Sequence, residues 1–141
     1  MSSAIHTDAF LPHPPEKVWR ALTDPELLAS WLMPNDFQPR LGHRFTFRTQ
    51  AVPAHGFDGI VHCRVLDLVP LERLRISWTG GGIDTTVTWR LTSEGSGTRL
   101  FLDHEGFDAG NPGQQATLRI LDGGWRGHLA RRLDEALSAM G

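Results

Sequence analysis

A change of hydrophobic period, made twice, constrains this chain more than any single motif. Between residues 13 and 32 the apolar side chains recur every three or four positions, as Val18, Trp19 and Leu22 and again as Leu27, Leu28 and Trp31. After Trp31 the period falls to two and holds for roughly 70 residues, and beyond Pro112-Gly113 it returns to the helical value. Alternation puts one set of side chains on each face of a strand, whereas a 3.6-residue period gathers them on one stripe of a helix. The chain is therefore expected to place short helices early, a long run of strands in the middle and one amphipathic helix at the end.

The elements can be read from their boundaries. Ile5, Ala9 and Leu11 alternate with His6 and Asp8, which predicts a first strand. Pro14 and Pro15 end it, and Pro15 suits the first position of a helix. Thr23-Asp24-Pro25 then restarts the helical pattern with a capping side chain before a proline. Phe45 and Phe47, then Leu74, Ile76 and Trp78, then Val87, Trp89 and Leu91, then Leu100 and Leu102 are apolar phases with arginine, threonine or aspartate between them. In FDGIVHCRVLDLV both phases carry apolar residues, so this strand is expected to be covered partly on both faces. Gly80-Gly81-Gly82 and Gly95-Ser96-Gly97 supply the positive φ angles of tight hairpins. A phosphate cradle would need a helix directly after such glycines, and here a strand follows each.

The last helix is expected from near Gln114 almost to the end, with Leu118, Leu121, Trp125, Leu129, Leu133 and Leu137 on its stripe. Gly123-Gly124 inside it disfavour helix by about 1 kcal/mol each relative to alanine. Either another surface or a ligand approaches closely beside Trp125, or the helix is locally kinked. A sheet wetted on one side must bury its apolar face, and this helix is the one element large enough to receive it. The expected fold class is α+β: a curved antiparallel sheet around a long C-terminal helix, with two short helices after the first strand. Residues 1–141 form one such domain, a length that suits a single core.

Composition narrows the function. Charged residues make up 21% of the chain and the net charge is -2, with Lys17 the only lysine and the arginines scattered, so no basic run suited to nucleic acid appears. No apolar run reaches the roughly 20 residues that span a bilayer, and MSSAIHTDAF lacks the features of a secretory signal. A cytoplasmic location is expected. Cys63 is the only cysteine and the seven histidines show no ligand spacing, so no metal and no cofactor is expected. Five tryptophans and seven phenylalanines without a tyrosine are a large aromatic surface with few polar handles, and it must be buried.

LFLDHEGF, residues 100–107, sets Asp103, His104 and Glu105 side by side, a grouping that suggests an acid–base relay. On a regular strand, however, His104 faces inward with Leu100 and Leu102 while the two acids face out, and only a bulge could bring them together. His104 then stands alone among Leu102, Trp89 and Trp125. It is either satisfied by a buried carbonyl or water, or it orients a polar group of a ligand.

Several separated motifs, in order, resemble the START-like (SRPBCC) superfamily. They are PPEKVWRALTDPELLASWL, then Gly42, Phe45 and Phe47 as G-x-x-F-x-F, ISWTG at 76–80, TVTWRL at 86–91, GTRLFLDHEGF at 97–107 and GGW at 123–125. The resemblance is nearest to the branch named after the C-terminal domain of the activator of heat-shock protein 90 ATPase. It implies the helix-grip fold, also called birch-pollen-allergen-like, with a pocket between sheet and C-terminal helix in which many relatives bind apolar small molecules. Relatives with a Rieske cluster need Cys/His pairs that one cysteine cannot supply. With the strand pattern beginning by residue 5, the activator's additional N-terminal domain is not expected.

The leading expectation is thus a protein that binds a small hydrophobic or aromatic molecule with Trp31, Phe45, Phe47, Trp78, Trp89, Leu102, His104 and Trp125 as the ligand-binding residues. Two alternatives stand beside it: a chaperone-interacting protein of the activator type, and a cyclase- or hydrolase-like enzyme using His104. No membrane or nucleic-acid partner is expected, and an edge strand from Phe45 to Thr49 could carry a homodimer.

Overall fold

The computed structural model describes residues 2–140. Strand β1 (Ser2–Leu11) is followed by helices α1 (Pro15–Thr23) and α2 (Pro25–Trp31). Then come β2 (Arg44–Arg48), β3 (Ile60–Val69), β4 (Arg73–Gly80), β5 (Ile83–Glu94) and β6 (Gly97–Asp108). The C-terminal helix is α3 (Pro112–Gly123), a π-helical turn (Gly124–His128) and α4 (Leu129–Ala139) in succession. The strands form one antiparallel sheet in the order β1-β6-β5-β4-β3-β2, so the first strand closes the sheet against the last. This is the expected α+β helix-grip architecture.

The local signals act where the residues place them. Asp24 caps α2, its carboxylate accepting from the Glu26 and Leu27 amides at 2.9 and 3.3 Å. The C-terminal helix starts two residues earlier than the apolar stripe suggests: Asn111 caps it, accepting from the Gln114 amide at 3.1 Å, with Pro112 at the first helical position.

The inner face of the sheet, α1, α2 and α4 share one core that includes Val18, Leu22, Trp31, Trp89, Leu133 and Leu137. Burying each large apolar side chain stabilises the fold by about 1.5–3 kcal/mol. Trp31 is buried without an orphaned donor, because its Nε1–H donates to the Ala21 carbonyl at 2.9 Å. Trp19, in contrast, is only partly buried at the margin.

Two expectations are corrected and a third is narrowed. β3 is not covered on both faces: Val61, Cys63 and Val65 are buried, while His62, Arg64 and Leu66 are exposed. The register against β4 shifts between Val65 and Asp67, so Leu66 sits in an irregularity on the wet side, and its apolar character says nothing about a covering layer. The β2 edge is also closed to strand addition. Its Thr46 amide donates to the Asp36 carboxylate at 2.7 Å and its Arg48 amide to the Pro34 carbonyl at 2.9 Å. Of the two readings left open for Gly123-Gly124, no protein surface approaches them closely. A Cβ at Gly123 would meet nothing within 4 Å, and one at Gly124 only Leu129 Cδ1 at 4.0 Å. The glycines instead lead into the π-helical turn, an irregularity of the helix itself. Among the described residues, no helix is long and apolar enough to cross a membrane.

Candidate functional site

The interior of the grip is built around a connected series of rings. Phe37 meets Phe45 with centroids 5.0 Å apart, Phe45 meets Phe47 at 5.3 Å, and Phe47 meets Trp78 at 5.5 Å. Trp78 then meets Trp125 at 5.7 Å, and Trp125 meets Trp89 at 6.0 Å. The edge-to-face angles of most of these pairs are the arrangement that ring quadrupoles favour. Strand alternation aims Phe45, Phe47, Trp78 and Trp89 inward, and the π-helical turn delivers Trp125 from the opposite side.

His104 is held at the middle of this series and is fully buried. Trp125 Nε1–H can only donate, and it points at His104 Nδ1 from 3.1 Å. Nδ1 is therefore the acceptor, and the proton lies on Nε2, which donates to Thr85 Oγ1 at 2.8 Å. The Thr85 hydroxyl passes the chain on by donating to the Trp78 carbonyl at 2.8 Å. One tautomer satisfies every member, and the ring stays neutral because burial pushes its pKa down to about 3. An imidazole so engaged has no free nitrogen for a guest and little capacity to take up a proton as a general base.

The Asp103–His104–Glu105 grouping does not converge. Asp103 lies on the outer face, taking His6 Nδ1 at 2.6 Å and the Arg90 guanidinium at 3.2 Å, and Glu105 is exposed. A bulge does interrupt the alternation, but one step later. β1 and β6 slip register where Ser3 faces Phe107 and Ala4 faces Glu105, leaving Gly106 as the extra residue at φ +104°. Its effect is to turn Phe107 inward, three residues from His104, so that their rings meet at 4.8 Å.

Two spaces remain beside this aromatic wall. The smaller, a cavity of about 80 Å³, lies between β1, β6 and α4 and is lined by Trp31, Trp89, Leu102, Trp125 and Leu133 among others. The larger, about 230 Å³, opens between α3, the β4–β5 hairpin and the loop of residues 49–57. Met33, Phe57, Val61, Trp78, Ile83 and Leu121 line it, with Val52 and Ile120 exposed at its rim. Trp78 borders the larger space and Trp125 the smaller, so this ring pair stands between them.

Of the eight residues expected to bind a ligand, Trp31, Trp89, Leu102 and Trp125 thus meet at the small cavity and Trp78 alone borders the large one. Phe45, Phe47 and His104 border neither and pack into the wall. Sequence reasoning missed Phe57, Val52 and Ile120. The first two lie in an irregular loop without period, and Ile120 falls between stripe positions of the helix. An apolar residue on an expected polar face was the available signal.

The larger space exists because the two halves of the terminal helix grip differently. α4 buries Leu133 and Leu137, and the π-helical turn buries Trp125, but α3 has no fully buried residue. Gly80 and Gly81 line the opening, and a Cβ at Gly81 would contact the Phe57 side chain at 3.4 Å. The remaining chemistry is sparse. Cys63 is buried, and its surroundings push the thiol pKa well up through loss of solvation. Among the described residues, no three His, Cys, Asp or Glu side chains are grouped so as to hold a metal ion.

Comparison with solved structures places this geometry in company. Protein MLL2253 from Mesorhizobium loti is 31% identical, with a TM-score of 0.86 over 99% of both chains. Protein BH1534 from Bacillus halodurans is 27% identical, with a TM-score of 0.78 over 96% of both chains. The Aha1 protein of Colwellia psychrerythraea, solved as a dimer, shares the fold at 18% identity, with a TM-score of 0.76 over 96% of each chain. No curated protein matches the sequence. The model of the family described as activator of Hsp90 ATPase homolog 1-like protein matches residues 12–138, nearly the whole described chain, and the protein belongs to that family.

Proposed function

We propose that the protein binds a small apolar or aromatic molecule in the opening between α3, the β4–β5 hairpin and the 49–57 loop. The observation that carries this reading is the 230 Å³ space itself, which is open to solvent and lined mostly by carbon while α3 lies over it without burying a single residue. Such a concave, apolar space with a few polar groups is the usual form of a small-molecule site. Thr49, His55 and Thr117 are the polar side chains at its border, and Trp78 is its aromatic floor. A guest would complete the packing of α3. It would touch Trp78 directly and reach the other expected residues (Trp89, Leu102, Trp125) only if the Trp78–Trp125 wall opened.

Titration of the protein with a neutral aromatic probe such as naphthol, followed by tryptophan fluorescence and by native mass spectrometry, tests the reading. Saturable quenching and a 1:1 adduct are expected. Ile120→Glu, at an exposed position, should weaken binding about tenfold or more by setting a charge at the apolar rim, with the melting temperature nearly unchanged. Unaltered fluorescence and unaltered melting at saturating concentrations of aromatic and aliphatic probes would remove the proposal.

The family description supports a second reading, a chaperone-interacting protein of the Hsp90 ATPase activator type. Its test is the turnover of the chaperone's ATPase, which should rise on addition of this protein and would stay flat if the reading is wrong. An enzyme built on His104 is less well supported, because that ring is neutral and both its nitrogens are engaged. A homodimer, as in the Colwellia protein, would need a seam other than the blocked β2 edge.

A further inference from the structure

The outer face of the sheet carries most of the strand arginines, and they are not treated alike. Arg73 is paired with Asp67 at 2.5 Å, Arg90 with Asp103 at 3.2 Å, and Arg99 with Asp8 at 2.6 Å and Glu94 at 3.0 Å. Arg44, Arg48, Arg64 and Arg75 are exposed and form no ion pair with any described carboxylate. Arg44 stands directly opposite Arg64 across β2 and β3. Side chains so placed have Cβ atoms about 4.5–5.5 Å apart, and like charges there destabilise the sheet. Arg75 lies on the next strand, opposite Asp67, but that carboxylate is taken by Arg73. Four uncompensated guanidinium groups thus lie on three adjacent strands of a chain whose net charge is -2.

Leu66, 41% exposed, stands at the register shift beside them. A shallow groove joins Arg44 and Arg64 to Leu66 and to the polar side chains of Thr46, His62 and Ser77. We propose that this outer face of β2, β3 and β4 docks an acidic protein segment that sets carboxylates on Arg44, Arg64 and Arg75 and an apolar side chain on Leu66. Strands are about 4.8 Å apart, and alternate residues of an extended segment are about 7 Å apart, so successive outward carboxylates can reach successive arginines. Guanidinium is suited to this role because its planar fork takes a carboxylate through two parallel hydrogen bonds. A nucleic acid fits less well. The positive patch is only three strands wide, Glu105 stands farther across the same face on β6, and Asp36 borders the groove. A continuous polyphosphate would meet these acids. The inference is independent of the apolar opening, which lies on the other face.

The probe is a fluorescein-labelled glutamate-rich peptide with a central leucine, followed by anisotropy at low and at physiological salt. Saturable, salt-weakened binding is expected, with amide shifts confined to the outer faces of β2–β4. Arg44→Gln with Arg64→Gln should weaken it about tenfold or more, and Leu66→Ser should weaken it further at constant salt dependence. Because each glutamine relieves a like-charge contact, the melting temperature should hold or rise in the single variants. Affinity unchanged in the double variant overturns the proposal. So does tighter binding of a single-stranded oligonucleotide of equal charge, full competition by inorganic phosphate, or a melting temperature that falls in Arg44→Gln.

Discussion

His104 shows how far one buried side chain can be determined by its partners. The unfolded chain takes up a proton on this ring near pH 6.5, whereas burial holds the folded ring neutral down to about 3. The folded-state value is depressed, so the stabilising effect is complete above pH 6.5. It is lost as pH falls toward 3, at up to about 1.4 kcal/mol per pH unit. Urea unfolding at pH 7, 5 and 4 should show this slope, and His104→Phe should flatten it. The same variant should cost about 1–3 kcal/mol at pH 7, since it leaves the buried Trp125 N–H without an acceptor. Leu71 offers the opposite case: its φ of +66° is unfavourable for a side chain branched beyond Cβ, and it is 41% exposed. Leu71→Asn should raise stability by up to about 1 kcal/mol in thermal unfolding. Cys63, buried and with its thiol pKa raised, should resist thiol reagents until the protein unfolds.

At the scale of elements, irregularities do the positioning. Gly106 lets β6 take an extra residue, and that step is what puts Phe107 beside His104. A Cβ at Gly106 would meet Asp84 O and Thr85 Cα at 3.4 Å, in a backbone conformation that L side chains rarely adopt. Gly106→Val should therefore destabilise by about 1–3 kcal/mol and shift the near-UV circular dichroism of the neighbouring tryptophans. The hydrophobic period could find the strands and the helix, because period is a property of neighbours along the chain. It could not find the slip of register at Gly106, the exposure of Leu66 or the π-helical turn. Each of these depends on how one element is paired with another.

Seen whole, the molecule is a sheet that grips its C-terminal helix tightly at one end and loosely at the other. α4 contributes buried leucines, while α3 leaves an opening that a guest of modest size could fill. Stabilisation by an aromatic probe should therefore appear as a melting temperature that climbs with probe concentration, as mass action requires for a ligand bound only by the folded state. Hydrogen exchange should fall in α3 and the 49–57 loop on binding and change little in α4. Equal protection along both helices would argue against a guest seated under α3.

The sequence by itself determined the order of elements, the inward phase of each strand and the inward aim of His104, since these follow from side-chain direction on neighbouring residues. It could also gather the aromatic residues on one side. Tertiary structure alone decided which of them pack solidly and which border empty space. Whether Phe47 or Phe57 faces a cavity depends on the volumes brought against it by distant segments, and no local pattern carries that sum. The charge balance of the outer face is of the same kind. Arg44 and Arg64 become opposed only when β2 and β3 settle into register, and only then are they distinguished from arginines that find an acid.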